Sequence, residues 1–135
     1  MTSHALLTAF KATTRTPAFG AWLTLPGIFH ARTVAQASLH LSWIVVDCEH
    51  GLIPLVPGAA ECVSAIQNAR VNTSITGDAN VEPLSTIVRI PATGVTASSS
   101  WQIKQALDAG ARGVLVPLVY LHVRGPCMHS DQYFV

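Results

Sequence analysis

The stretch Ser42-Trp43-Ile44-Val45-Val46-Asp47-Cys48-Glu49-His50-Gly51 decides the reading of the fold. Trp43 to Val46 is an unbroken apolar run, the pattern of a strand covered on both faces and therefore of a parallel sheet. Directly after it the chain delivers Asp47, Glu49 and His50. In parallel α/β folds, ligands and catalytic groups gather at the carboxyl ends of strands. A carboxylate beside an imidazole can set its tautomer and orient it as a general base. The same spacing also fits a buried acid that caps the next turn, with a loop histidine after it. Spacing alone leaves both readings open.

Working outward, the chain alternates strand and helix patterns. Residues Ala5 to Lys11 suggest a short leading helix. Phe19 to Leu23 reads as a first strand, bounded by Pro17 and Pro26-Gly27. Ile28 to Leu39 places Ile28, Ala31, Val34, Ala35 and Leu39 near one helical face. Pro54 and Pro57 punctuate the loop after the second strand. Ala59 to Ala69 reads as a helix with Ala59, Cys62, Val63 and Ile66 inward. Arg70 to Ser85 is rich in turn residues and reads as an exposed loop. Thr86 to Ile90 is a third strand, closed by Pro91. Ser99 with Gln102 matches a capping box, with Ser98 and Ser100 as alternative caps, and opens a helix from Trp101 to Ala109. Gly110 is a left-handed terminator for that helix. Val114 to Val116 is a fourth strand, ended by Pro117. The order βαβαβαβ implies a parallel sheet with right-handed crossovers. It fits a small open sheet or half of a (β/α)8 barrel, and periodicity does not choose between them.

The 135 residues suffice for one modest domain. Half are hydrophobic and only 11% are charged, against a usual share of about 25%. So little charge leaves little to solvate a surface and predicts that the chain associates or is part of something larger. The net charge of +1 gives no argument for nucleic acid or an anionic membrane. Cys48, Cys62 and Cys127 are widely spaced and form no CxxC pair, so a reducing compartment is the default. No apolar run has the length of a membrane span. A cytoplasmic location is the expectation. Lys11, Arg15 and Arg32, with no acid before Asp47, resemble a mitochondrial presequence only weakly.

Four segments, in order, resemble the HpcH/HpaI aldolase family, the metal-dependent pyruvate aldolases that include 4-hydroxy-2-oxoheptanedioate aldolase. They are Phe19-Gly20-Ala21-Trp22-Leu23, Trp43 to Gly51, Val88-Arg89-Ile90-Pro91, and Ile103 to Pro117. The resemblance implies an α/β fold that is a partial TIM (β/α)8 barrel of about four βα units. It divides the chain into a lead helix (1–17), a partial aldolase barrel (18–119) and a divergent tail (120–135). It also implies reversible cleavage of 4-hydroxy-2-oxo acids to pyruvate and an aldehyde, with Mg²⁺ or Mn²⁺ acting as a Lewis acid. Carried over by position, His50 is the base, directly or through a metal-bound water, and Asp47 orients it. Arg89 holds the carbonyl oxygen and developing enolate. Trp22 shapes the pocket, and Glu49 belongs to the motif without an assigned role. Against this, Arg89 could simply pair with Asp47 or a helix end, and Trp22 and Trp43 could simply pack. Lys104 and Asp108 read as a surface pair.

The family's metal-binding carboxylates lie beyond the matched region, so no metal ligand is assigned here. The tail from Tyr120 onward shows no helical or strand period. His122, Cys127 and His129 within it match no justified metal spacing. Two further readings therefore stand beside the aldolase. One is an inactive half barrel, a truncated or alternatively ended product that associates with itself or with full-length subunits. The other is a citrate lyase β-like lyase of coenzyme A thioesters. The partners expected are a small 2-oxo acid and other subunits, with no nucleic acid and no membrane.

Overall fold

The computed structural model describes residues 6, 11, 17–71, 84–92, 99–119 and 132–134. The elements run β1 (Phe19–Leu23), α1 (Ile28–Gln36), β2 (Leu41–Asp47), α2 (Ala60–Val71), β3 (Ser85–Arg89), α3 (Ser100–Asp108), β4 (Gly113–Pro117) and β5 (Gln132–Phe134). A short irregular turn, Leu55–Ala59, leads into α2. The four strands expected from sequence are all present, β1 with the expected bounds. They form one sheet in the order β1-β2-β3-β4-β5, and β1 to β4 are mutually parallel.

Residues that alternate along a strand face opposite sides of the sheet. Leu23, Ile44, Val46, Val88 and Val114 join a single large core with Ala31 and Ala35 of α1, Cys62, Val63 and Ile66 of α2, and Ala106 of α3. All three crossover helices thus cover one face of the sheet. The alternate residues Val45, Ile87 and Leu115 form a second, smaller cluster with Trp43 and Leu6 on the other face. Sequential strand order with every crossover helix on one side is the arrangement of a barrel segment. A doubly wound sheet reverses its strand order and carries helices on both faces. The ambiguity left by periodicity is resolved in favour of the barrel segment.

Several local expectations need correction. Helix α1 ends at Gln36, so Leu39 lies outside it and is exposed, and Ile28 is exposed as well. The loop expected from Arg70 to Ser85 is shorter at both ends. Helix α2 runs to Val71, and Leu84 and Ser85 are buried. The capping box at Ser99 does not form. Ser99 has helical torsions (φ −80, ψ −5) and makes no side-chain cap bond, whereas a capping residue needs extended torsions to aim its hydroxyl back at the first turn. Gln102 is instead buried, its Oε1 without a hydrogen-bond partner among the described residues.

The other end of α3 follows the sequence. Gly110 takes φ +93, its N–H donates to Leu107 O, and the Ala111 N–H donates to Ala106 O. That bond pair is the Schellman motif. Lys104 and Asp108 form the exposed ion pair expected on α3.

The tail also departs from expectation. Gln132–Phe134 pairs antiparallel with β4, Tyr133 lying opposite Val116. Three residues are too few to show a period, so no local pattern marks this strand. The rest of the tail, with His122, Cys127 and His129, and most of the leading segment lie outside the described residues; Leu6 and Lys11 are helical.

Candidate active site

The site is built at the carboxyl ends of β1, β2 and β3, on the face away from the helices. The parallel register sets Asp47 opposite Arg89, the last residues of β2 and β3. Trp22 lies opposite Val45 one strand further out. Asp47, Arg89 and Trp22 each stand two residues or one strand from the smaller apolar cluster, so all three project from the same face.

Asp47 and Arg89 form a two-pronged ion pair. Arg89 Nε donates to Asp47 Oδ1 at 2.9 Å and Nη2 donates to Oδ2 at 2.6 Å. Their side chains are only 3% and 12% exposed, so little water competes for these bonds. Asp47 Oδ1 also accepts the main-chain N–H groups of Glu49 (3.0 Å) and His50 (3.1 Å). Burial alone pushes the Asp47 carboxyl up. The Arg89 hydrogen bonds, the two main-chain donors and the Arg89 charge outweigh it, and the carboxyl sits below its ordinary value of 3.8. The hydrogen bonds to Asp47 raise the Arg89 guanidinium further, so it stays a cation.

Two more groups complete the surroundings of Arg89. Glu49 Oε2 lies 3.2 Å from Arg89 Nη1. The Trp22 ring covers the guanidinium, with Arg89 Cζ 4.7 Å from its centroid, a cation–π arrangement.

His50 is placed differently from its expected relation to Asp47. Asp47 holds the main-chain N–H of His50, not the ring, so it positions the residue through the backbone. The carboxylate near the ring is Glu49, whose Oε2 is 3.7 Å from His50 Nε2. That is beyond hydrogen-bond length, and the His50 side chain is 74% exposed. The geometry is that of the second reading of the motif: Asp47 is a buried acid that caps the turn, with a loop histidine after it, and it also grips a strand-end arginine.

The turn is shaped by glycine. A Cβ on Gly51 would stand 3.0 Å from Thr24 O and closer still to Asp47 O, so only glycine lets the loop fold back on the strand ends. The next residue, Leu52, donates its N–H to Thr24 O at 2.8 Å and ties the loop to the end of β1. Gly20 plays a similar part lower in the sheet, where the Trp43 ring fills the space of its missing Cβ. Trp43 is thus a packing residue. Cys48 points to the helix-covered side and is buried. Desolvation, with smaller contributions from Asp47 and Cys62, pushes its thiol up to about 12, so it is no nucleophile.

Sequence reasoning named Asp47, Arg89, Trp22, His50 and Glu49, and the structure brings all but the His50 ring into one contact cluster. It missed the Glu49–Arg89 contact. The one available signal was that Asp47 and Arg89 end neighbouring strands, which puts the residue two beyond Asp47 within reach of the guanidinium.

The fold is thus a (β/α) barrel segment with an Arg–carboxylate pair at its strand ends. The chain is 33% identical over 103 residues to a hydroxypyruvate/pyruvate aldolase of Agrobacterium fabrum, a match covering 76% of this chain and 31% of that protein. It is 30% identical over 101 residues to a hydroxypyruvate/pyruvate aldolase of Paraburkholderia phytofirmans, covering 75% of this chain and 32% of that protein. In structure it is similar to an HpcH/HpaI aldolase/citrate lyase family protein from Burkholderia cenocepacia, with TM-score 0.65 and 27% identity over 87% of this chain and 38% of the other. The citrate synthase SbnG, at TM-score 0.50 and 24% identity over 76% of this chain and 33% of that one, shares the fold. No family model matches the chain. The likeness to these aldolases and to the HpcH/HpaI aldolase/citrate lyase family protein extends over 75–87% of this chain, which spans about a third of the length of the curated relatives it matches. Among the described residues, no helix is long and apolar enough to cross a membrane.

Proposed function

We propose that this segment belongs to a pyruvate aldolase that cleaves 4-hydroxy-2-oxo acids reversibly into pyruvate and an aldehyde. The observation that carries this reading is the buried Arg89, locked to Asp47 at the strand ends and covered by Trp22. A fixed cation with N–H groups to spare is what a developing enolate oxygen needs. The relatives' printed names, hydroxypyruvate/pyruvate aldolase, support the same class.

In this reading a base removes the proton from the C4 hydroxyl. The oxygen electrons form the aldehyde carbonyl, the C3–C4 bond breaks, and its electron pair moves into the enolate of pyruvate. Arg89 stabilises the enolate oxygen. Returning a proton to C3 gives pyruvate. His50 is the base, since its exposed ring stands at the mouth of the site on a backbone held by Asp47.

The family expectation includes a divalent cation, Mg²⁺ or Mn²⁺, and its oxygen ligands would be carboxylates. The carboxylates of this site do not fit that role. Both Asp47 oxygens and Glu49 Oε2 are engaged by Arg89. Among the described residues no group of three or more His, Cys, Asp or Glu side chains is arranged to hold a metal. The steps above accordingly rest on Arg89, Asp47 and His50.

The test is pyruvate release from 4-hydroxy-2-oxo acids by the purified chain, with Mn²⁺ or Mg²⁺ and then with EDTA. Release that His50→Ala abolishes supports the reading. Release unchanged by both His50→Ala and Arg89→Lys overturns it.

A further inference from the structure

Arg89 meets two carboxylates, and they are not equivalent. Asp47 is 3% exposed and bound through both oxygens to the guanidinium and through one to two main-chain N–H groups. It has no freedom to leave. Glu49 makes one contact, at 3.2 Å, to Nη1. Nη1 is the nitrogen that Asp47 leaves free. The same Glu49 oxygen stands 3.7 Å from His50 Nε2. Glu49 therefore lies between the cation that would hold an anionic ligand and the exposed ring at the mouth of the site. One oxygen faces both, in contact with the guanidinium and short of contact with the ring.

The charge count points the same way. One guanidinium faces two carboxylates, so a third negative group entering at Arg89 meets net repulsion. Removing Asp47 would strand a buried cation. Moving Glu49 away from Nη1 frees that nitrogen for the ligand and leaves the Asp47–Arg89 pair intact. A rotation of the Glu49 side chain suffices for that move, because its Cα is fixed by the N–H bond to Asp47.

We infer that Glu49 is an internal stand-in for the ligand carboxylate or enolate. It occupies Arg89 Nη1 while the site is free and shifts toward His50 when an anionic 2-oxo acid takes its place. Glu49 is thus a positioning residue acting through Arg89 and His50. The inference rests on the oxo-acid reading of the site.

The experiment titrates the full chain with oxalate, a planar dianion shaped like the enolate of a 2-oxo acid, in EDTA. Binding is followed by isothermal calorimetry and by tryptophan fluorescence, to which the stacked Trp22 contributes. Glu49→Gln keeps the shape and removes the charge. Glu49→Ala serves as the second variant, and each is checked for a cooperative melt. If Glu49 is a stand-in, both variants bind oxalate more tightly than the parent chain, by about tenfold, in line with relief of one like-charge contact in partly desolvated surroundings. A merely structural Glu49 would not improve binding when removed. Equal or weaker binding by both folded variants overturns the inference and leaves the oxo-acid reading standing. Saturable binding by none of the three proteins overturns the oxo-acid reading and the inference with it.

Discussion

The two faces of this sheet are built on opposite principles. The face toward the helices is a continuous apolar core in which Leu23, Ile44, Val46, Val63, Ile66 and Val88 are fully buried. The other face holds three buried aliphatic residues, Val45, Ile87 and Leu115, and above them the charged cluster of Asp47, Arg89 and Glu49. On the first face stability comes from area removed from water. On the second it depends on a few directed bonds, each of which leaves an unpaired group if broken. One strand serves both. In β2, Ile44 and Val46 face the helices while Val45 and Asp47 face away, so period-two alternation divides packing from chemistry within a single segment.

The largest effect should come from the charged face. Asp47→Ala strands the buried guanidinium of Arg89 and removes the acceptor for two main-chain N–H groups. A loss of about 4 kcal/mol in urea unfolding is expected, the size seen when one partner of a buried pair is deleted. A loss below about 1 kcal/mol would show that the pair is solvated like a surface ion pair.

Next in size is a matched pair of truncations. Ile44 and Ile87 are both buried, at 0% and 3% exposure, on neighbouring strands but opposite faces. Ile44→Ala should cost about 4 kcal/mol and Ile87→Ala about 2 kcal/mol, the upper and lower parts of the range for such truncations. Equal costs would erase the distinction between a thick core and a thin one.

A smaller change separates the two faces by pH. The Asp47 carboxyl sits below its ordinary value, so the folded state holds its proton more weakly than the unfolded chain. Its contribution is complete above the ordinary value of 3.8 and fades as pH falls below it through the lower folded value. Acid unfolding curves of the parent chain and Asp47→Asn should therefore converge at low pH and separate as pH rises past 4. Parallel curves throughout would mean that Asp47 does not titrate with folding.

The smallest effect belongs to Trp22, which is 46% exposed over Arg89. Trp22→Leu should lower stability by about 0.5–1 kcal/mol, the worth of an exposed cation–π contact. A larger loss would place Trp22 among the core residues.

The legibility of the sequence follows the same division. The four parallel strands were readable because apolar runs bounded by glycine and proline carry a local signal, and β1 kept its expected bounds. The Gly110 helix stop was readable because a left-handed residue is a property of one position. The capping box at Ser99 failed because the motif fixes residue types and leaves torsions free, and the backbone at Ser99 is already helical. β5 was invisible because its partner lies on a distant strand and its three residues hold no period. In the site, residue types were legible and their partners were not. Asp47 and Arg89 are 42 positions apart, and only the sheet register brings them together. The ring of His50 and the carboxylate of Asp47 are three positions apart, yet the carboxylate takes the main-chain N–H of His50 and not the ring.

The loop from Asp47 to Leu52 is fastened at both ends, by Asp47 Oδ1 to the Glu49 and His50 N–H groups and by Thr24 O to the Leu52 N–H. In hydrogen exchange, amides open only when their acceptors let go. The amides of Glu49, His50 and Leu52 should then exchange slowly, although His50 and Leu52 display exposed side chains. Such a segment keeps a wet, reactive ring on a backbone as still as the strand beside it. The entropy of aiming that ring is thereby lost once, during folding, and not again at each encounter with a substrate.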